Sequence, residues 1–284
     1  MSSLLCVGVI LYLFTSNGTF SSRKCEQAGE NICQDLLYNE KQRLTLLDSE
    51  ALTLCVIVRI YGPQVSYLPV LALGFLHAGF DNVRIYVINT HRSTDSRLLF
   101  QTIDLINKIV LRTNYITFLD LGKPLDDDYG YTLTDHALNY LYNQYKRSPS
   151  MCHYLIVTNG DNLYSQYLGN KTLPHMRAKK DIIAWDFVSR YHRPYLIQAQ
   201  EEQLQKPYRI FDDGTAKCVA VSLQRGGVDL GAAAYRLAFL YEHKLRFSFS
   251  NGTYNVESDG YFMDKAFLLT NMSVIVRQTL FIHQ

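Results

Sequence analysis

Cys152-His153-Tyr154-Leu155-Ile156-Val157-Thr158-Asn159-Gly160-Asp161-Asn162-Leu163-Tyr164 lies near the middle of the 284-residue chain. Strand formers run from Tyr154 to Thr158 and stop at Asn159-Gly160-Asp161-Asn162. The pattern predicts a buried strand followed by a tight turn that exposes a cluster of oxygen ligands. In open α/β sheets ligands sit at the carboxyl ends of the strands, which is where this turn falls. A carboxylate and an amide held there suit a hard divalent cation, and such a cation suits a diphosphate. Asn-Gly and Asp-Asn are also among the commonest turn pairs, so the stretch takes its meaning from its surroundings.

Working back along the chain, the same strand-then-loop pattern recurs. Leu54-Cys55-Val56-Ile57-Val58 reads as a strand buried on both faces, ending in the loop Arg59-Ile60-Tyr61-Gly62-Pro63. A helix capped by Ser66 follows, with Pro69 in its first turn and Gly79 as C-cap. Residues 83–88 form the next strand, ending at Asn89-Thr90-His91-Arg92-Ser93-Thr94-Asp95. Ser93 or Thr94 caps a second helix with Leu99, Ile103, Ile106 and Val110 on its apolar stripe. Residues 116–119 are a third strand. Asp126-Asp127-Asp128 then reads as solvated loop charge, and Thr132-x-x-Asp135 as a capping box opening a helix. Strand alternating with helix over residues 52–162 predicts a parallel sheet with helices on both faces. Beyond it, residues 181–191 and 217–223 are strand-like.

Composition narrows the class. The 284 residues suffice for a sizeable core, and 48% hydrophobic with 19% charged residues marks an ordered globular chain. A net charge of +2 gives no basic footprint for nucleic acid. Residues 4–14 are an uninterrupted apolar run, read as the core of a signal peptide over residues 1–21 or a short signal anchor. Residues 22–51 then form a stem. Four Asn-x-Ser/Thr sequons, at Asn17, Asn170, Asn251 and Asn271, agree with entry into the secretory pathway. The expected location is therefore the ER or Golgi lumen, or outside the cell. Removing the signal leaves Cys25, Cys33, Cys55, Cys152 and Cys218, an odd number. Cys25 with Cys33 is the easiest pair to picture, while Cys55 and Cys152 read as small buried hydrophobes.

These ordered motifs resemble nucleotide-sugar-dependent glycosyltransferases of the GT-A fold across residues 52–284. The resemblance implies a three-layer, Rossmann-like α/β/α fold with a mostly parallel central sheet, a nucleotide-sugar half at 52–162 and an acceptor half at 163–284. Arg59 and Tyr61 resemble the nucleotide-base loop. Asn89-Thr90-His91-Arg92-Ser93-Thr94-Asp95 resembles the acidic loop, with Asn89 and Thr90 in place of acids. Residues 132–142, with Asp135, resemble the family's helix that touches the nucleotide. Asn159-Gly160-Asp161 occupies the Asp-x-Asp position, so that Arg59, Tyr61, Asn89, Asp135, Asn159 and Gly160 would face the donor. Asp161, Asn159 and the late His283 would hold a divalent metal, Mn2+ or Mg2+, against a UDP-sugar.

On the acceptor side, the loop Gly226-Gly227-Val228-Asp229 and the acidic Glu257-Ser258-Asp259-Gly260 resemble family motifs. Asp259, or less favourably Glu257, would be the base of an inverting transfer; Asp259 also suits a helix N-cap. Trp185, Asp186, Arg190, Gly227, Asp229 and Arg236 are the expected acceptor contacts, although a lone Trp more often belongs to a core. The expected partners are a nucleotide-sugar donor and a glycan or glycoprotein acceptor. Two other readings stand beside this one: a non-catalytic carbohydrate- or nucleotide-binding relative, and a secreted glycan hydrolase using Asp229 and Asp259.

Overall fold

Strand β1 (Thr53–Ile60) is buried along its entire length, because it is paired on both edges and covered on both faces. The computed structural model describes residues 51–111, 115–125, 127–189 and 216–284. Residues 51–284 form one compact unit. The expected signal, the stem, Cys25, Cys33, Asn17, Asp126 and Arg190 lie outside the described residues.

After β1 the chain makes a 3-10 turn (Gly62–Tyr67) and then α1 (Leu68–Leu76). β2 (Asn82–Asn89), α2 (Ser96–Val110), β3 (Ile116–Phe118), α3 (Tyr131–Arg147) and β4 (Tyr154–Asn159) follow in alternation. Strands β3, β2, β1 and β4 are neighbours in that order and all parallel. Crossovers in parallel sheets are right-handed. The strand order turns back between β1 and β4, so α3 covers the face opposite to α1 and α2. The reversal opens a crevice beyond the carboxyl ends of β1 and β4, where Arg59 and Asn159 are register partners.

The second half extends the sheet. β5 (Leu163–Tyr164), α4 (Leu168–Arg177), β6 (Ile182–Ser189), β7 (Lys217–Val219), β8 (Ala233–Arg236), α5 (Leu237–Glu242), α6 (Ser258–Leu268) and β9 (Ser273–His283) complete the described chain. β8 inserts antiparallel between β4 and β6, and β9 runs parallel to β6. That pairing carries the ends of β6 and β9 to the same edge as the end of β4. The strand expected over 181–191 is β6, and the one expected over 217–223 is shorter, β7.

Several local expectations are corrected. α2 is capped by Asp95, whose Oδ1 accepts from Leu98 N at 3.1 Å. Thr94 instead accepts from Gly62 N at 3.0 Å, tying the β2 loop to the β1 loop. Ser66 does not cap α1; its hydroxyl donates to Pro63 O. The Thr132–Asp135 box is absent, because Asp128 takes its place by accepting from Gly130 N and Thr132 N, each at 2.9 Å. Asp128 is thus a buried helix cap, not solvated charge.

Cys55 and Cys152 form a disulfide, with Cα atoms 5.7 Å apart, that staples β1 to the residue before β4. They are therefore not merely small hydrophobes. Periodicity placed both cysteines at strand starts but carried no information about strand adjacency.

Candidate active site

The turn after β4 is built around a close approach. A Cβ on Gly160 would fall 2.1 Å from Ile60 Cδ1, so any larger residue there would force the buried Ile60 side chain to shift from the end of β1. Gly160 N donates to Arg59 O at 2.9 Å. Asn162, almost fully buried, donates to Thr158 Oγ1 and accepts from Gln284 N. Between these anchors Asp161 is fixed beside the C-terminal strand. Its Oδ1 is buried without a hydrogen-bond partner among the described residues. Burial pushes its carboxyl above the usual range, while a hydrogen bond from Gln64 and the nearby His283 act in the opposite direction.

His283 ends β9 opposite Ser189, the end of β6. Its Nδ1 lies 3.0 Å from Ser189 Oγ and its Nε2 3.6 Å from Asp229 Oδ2. Asp229 also accepts from Gly231 N at 2.9 Å, capping the turn Leu230–Ala232. The preceding loop needs Gly227, where a Cβ would lie 1.9 Å from Ser222 Oγ. Its capping role and its contact with His283 use different carboxylate oxygens of Asp229, so one residue performs both.

Asp259 opens α6 and accepts from Gly260 N at 2.7 Å. Burial, and then the charge of Asp229, push its carboxyl up to about 6, partly offset by Arg59. Arg59 is buried, donates to Tyr129 O, and lies with Cζ 4.5 Å over the Tyr131 ring. Its Nε has no hydrogen-bond partner among the described residues. Asp259 in turn raises the Tyr131 phenol, after burial. Asp161, His283, Asp229, Asp259 and Arg59, drawn from five separate segments, therefore form one electrostatically connected group at the carboxyl edge of the sheet.

The remaining expected residues divide. Asn159 ends β4 half-buried, and Tyr61 is exposed with its ring edge-on to His91. Asn89 accepts from His91 N and lines a cavity of about 430 Å³ with Phe100, Phe118, Asp120 and Lys123. Glu257 is paired with Arg225 at 3.5 Å on an exposed surface. Asp135 is withdrawn from the crevice, since its oxygens accept from Phe247 N, Ser248 N and Tyr254 OH. Trp185 is fully buried and cannot stack on a sugar. Asp186 binds Val221 N and Arg277 within the sheet. Arg236 pairs with Asp181 at 2.6 Å. Its register partner is Tyr154, the first residue of β4, so it lies at the opposite end of the sheet from the crevice. Three residues that touch this group carried no sequence signal: Ser189 beside His283, Gln64 beside Asp161 and Tyr131 beneath Arg59 are ordinary strand-end and helix-start types until the fold brings them together.

Among the described residues no three His, Cys, Asp or Glu side chains already surround a point where an ion could sit. The orphaned Asp161 Oδ1, facing a neighbourhood that contains His283, fits a set that a ligand's own oxygens would complete.

No family model and no curated protein matches the chain. Solved structures do. S. aureus TarS 1–349 superposes with a TM-score of 0.53 at 14% identity, covering 82% of this chain and 60% of that one. The same fragment in complex with UDP gives 0.51 at 15% identity, again over 82% and 60%. A longer S. aureus TarS chain gives 0.51 at 12% identity over 83% and 37%. This chain thus spans less than two thirds of the length of these neighbours. Its sheet order, its crevice at the β1–β4 reversal and these superpositions give one conclusion: residues 51–284 have the GT-A-like glycosyltransferase fold.

Proposed function

We propose that this chain transfers a sugar from a nucleotide-sugar donor to a hydroxyl of a glycan or glycoprotein, with inversion at the anomeric carbon. The observation that carries the reading is the grouping of Asp161, His283, Asp229, Asp259 and Arg59 at the mouth of the crevice. The UDP bound in a chain of the same fold supports the donor class. The cavity beside Asn89 offers apolar walls, with Asp120 and Lys123, for a nucleotide base.

In the transfer, the acceptor oxygen forms a bond to the anomeric carbon as the bond to the diphosphate breaks. The diphosphate leaves with the electron pair from the opposite face. Asp259 takes the acceptor's proton; a carboxyl raised to about 6 is a stronger base than an ordinary aspartate and is still ionised at neutral pH. Asp161, Asn159 and His283 would hold the divalent cation. Its chemistry there would be to neutralise charge on the departing diphosphate. Arg59 keeps a positive charge near Asp259, which limits the rise in its basicity.

The test is release of free nucleoside diphosphate from a panel of nucleotide sugars mixed with glycoprotein acceptors. Release above background with one donor, lost in Asp259→Asn, is the expected result. No release with any donor, alongside intact nucleotide binding, would leave a binding relative as the better reading. Asn159, in place of the first Asp of the metal motif, is the residue that favours this second reading.

A further inference from the structure

We infer that Asn251 carries an N-linked glycan. Three sequons fall within the described residues, and the fold treats them differently. Asn170 lies inside α4, and the hydroxyl of its Thr172 is fully buried and donates to Leu168 O at 2.8 Å. A transferring enzyme would have to unwind that helix to reach both groups. Asn271 is exposed, but its Ser273 is the first residue of β9 and is paired with Ile182 in the sheet. Asn251, Gly252 and Thr253 are all exposed at the tip of a tight turn.

The turn is closed by Gly252 N to Phe249 O and Phe249 N to Thr253 O, each at 2.9 Å. Gly252 has φ +79°, and among the described residues no atom lies within 4 Å of the place its Cβ would take. The tip therefore stands clear of the body. Its base is held on α6 by the stacked Phe249 and Tyr261 rings, 4.4 Å apart, and by Ser250 Oγ to Tyr261 OH at 2.9 Å.

The chemistry of the turn matches the modification. Asn251 Oδ1 accepts from Thr253 Oγ1 at 2.7 Å and from Thr253 N at 3.1 Å. Two donors on this oxygen favour negative charge there and make a proton on Nδ2 easier to lose. Nδ2 then forms a bond to the anomeric carbon of a lipid-diphosphate-linked oligosaccharide. The carbon–oxygen bond to the diphosphate breaks, the lipid diphosphate leaves with the electron pair, and the Nδ2 proton passes to a base of the transferring enzyme. A second observation points to the same compartment. The Cys55–Cys152 disulfide is enclosed in the core, and such bonds form where the surroundings are oxidising. The inference is independent of whether the crevice transfers sugar.

The experiment expresses the full chain, with its own N-terminal segment, in a eukaryotic cell line. Peptide masses are read before and after an amidase that removes N-glycans and leaves Asp. The expected result is a glycan on the Asn251 peptide, its loss in both Asn251→Gln and Thr253→Ala, partial loss in Thr253→Ser, and no glycan at Asn170. An unmodified Asn251 peptide in the wild-type chain overturns the inference, whichever compartment the chain is recovered from. So does a glycan at Asn170 with Asn251 bare. Since Asn251→Gln alters only an exposed turn, an unchanged melting temperature of the deglycosylated variant shows that loss of the glycan is not loss of the fold.

Discussion

His283 Nε2 lies 3.6 Å from Asp229 Oδ2, joining the last strand to the turn that also places Asp229 near Asp259. Asp229 is the common neighbour of the group, because its charge raises both Asp161 and Asp259. Asp229→Asn removes that charge while keeping the side chain's size. The acid limb of the pH–rate profile, set by Asp259 at about 6, should move to lower pH in this variant. An unmoved limb would show that Asp259 is not the titrating base.

Asp259 also makes a prediction about stability. Its folded carboxyl, about 6, lies above the ordinary 3.8. Between these values the folded chain keeps a proton that the unfolded chain has lost, so this group makes stability fall as pH rises through the window. At about 1.4 kcal/mol per pKa unit the full cost above pH 6 is at most roughly 3 kcal/mol. Asp259→Asn should therefore raise the denaturation midpoint at pH 8, leave it little changed near pH 3.5, and abolish turnover. Equilibrium urea unfolding at the two pH values checks the sign.

Gly160→Ala should destabilise the chain, since the new methyl collides with Ile60 Cδ1. Overpacking of this kind costs about 1–3 kcal/mol. Ile60→Val removes the colliding carbon, so the double variant should recover part of the loss. A double-mutant cycle measures the coupling; additive losses would contradict the close approach.

Asp135→Ala should destabilise by leaving Phe247 N, Ser248 N and Tyr254 OH without their acceptor. An unmade buried hydrogen bond costs about 1–3 kcal/mol. Phe247 stacks between Tyr131 and Phe262, so hydrogen exchange should rise at residues 247–248 in this variant. Unchanged exchange at residues 247–248 would contradict the acceptor role of Asp135.

Much of the fold was legible because β1, β2 and β4 are apolar runs ending in polar loops, and α2 carries a regular stripe through Leu99, Ile103 and Ile106. Those are local signals. Strand adjacency is not local, which is why the disulfide between Cys55 and Cys152 and the antiparallel insertion of β8 could not be read. The same limit separates the site residues. Asp161, Asp229, Asp259 and His283 stand in loops or at element ends, where motif position and crevice coincide. Trp185, Asp186 and Arg236 belong to strands, where facing direction and depth decide accessibility: Trp185 is buried, Asp186 is taken up by Val221 N and Arg277, and Arg236 lies at the far end. Asp135 shows the remaining ambiguity, because a carboxylate in the second turn of a helix serves a ligand or a buried loop equally well.

The central claim is that Asp161 anchors a nucleotide-sugar donor through a cation at the end of β4. Its most direct test is the melting temperature of residues 51–284, the compact unit of the fold, produced with its disulfide formed. The chain is titrated with UDP, GDP, CDP and ADP, with and without Mn2+. A ligand that binds only the folded state raises the midpoint by mass action, by about 2.7 kcal/mol of stability at a hundredfold excess over its dissociation constant. The expected result is a shift with one nucleotide that requires Mn2+ and disappears in Asp161→Ala. A shift that persists without Mn2+ and in Asp161→Ala would contradict the metal-bridged site, and no shift with any nucleotide would contradict the donor site itself.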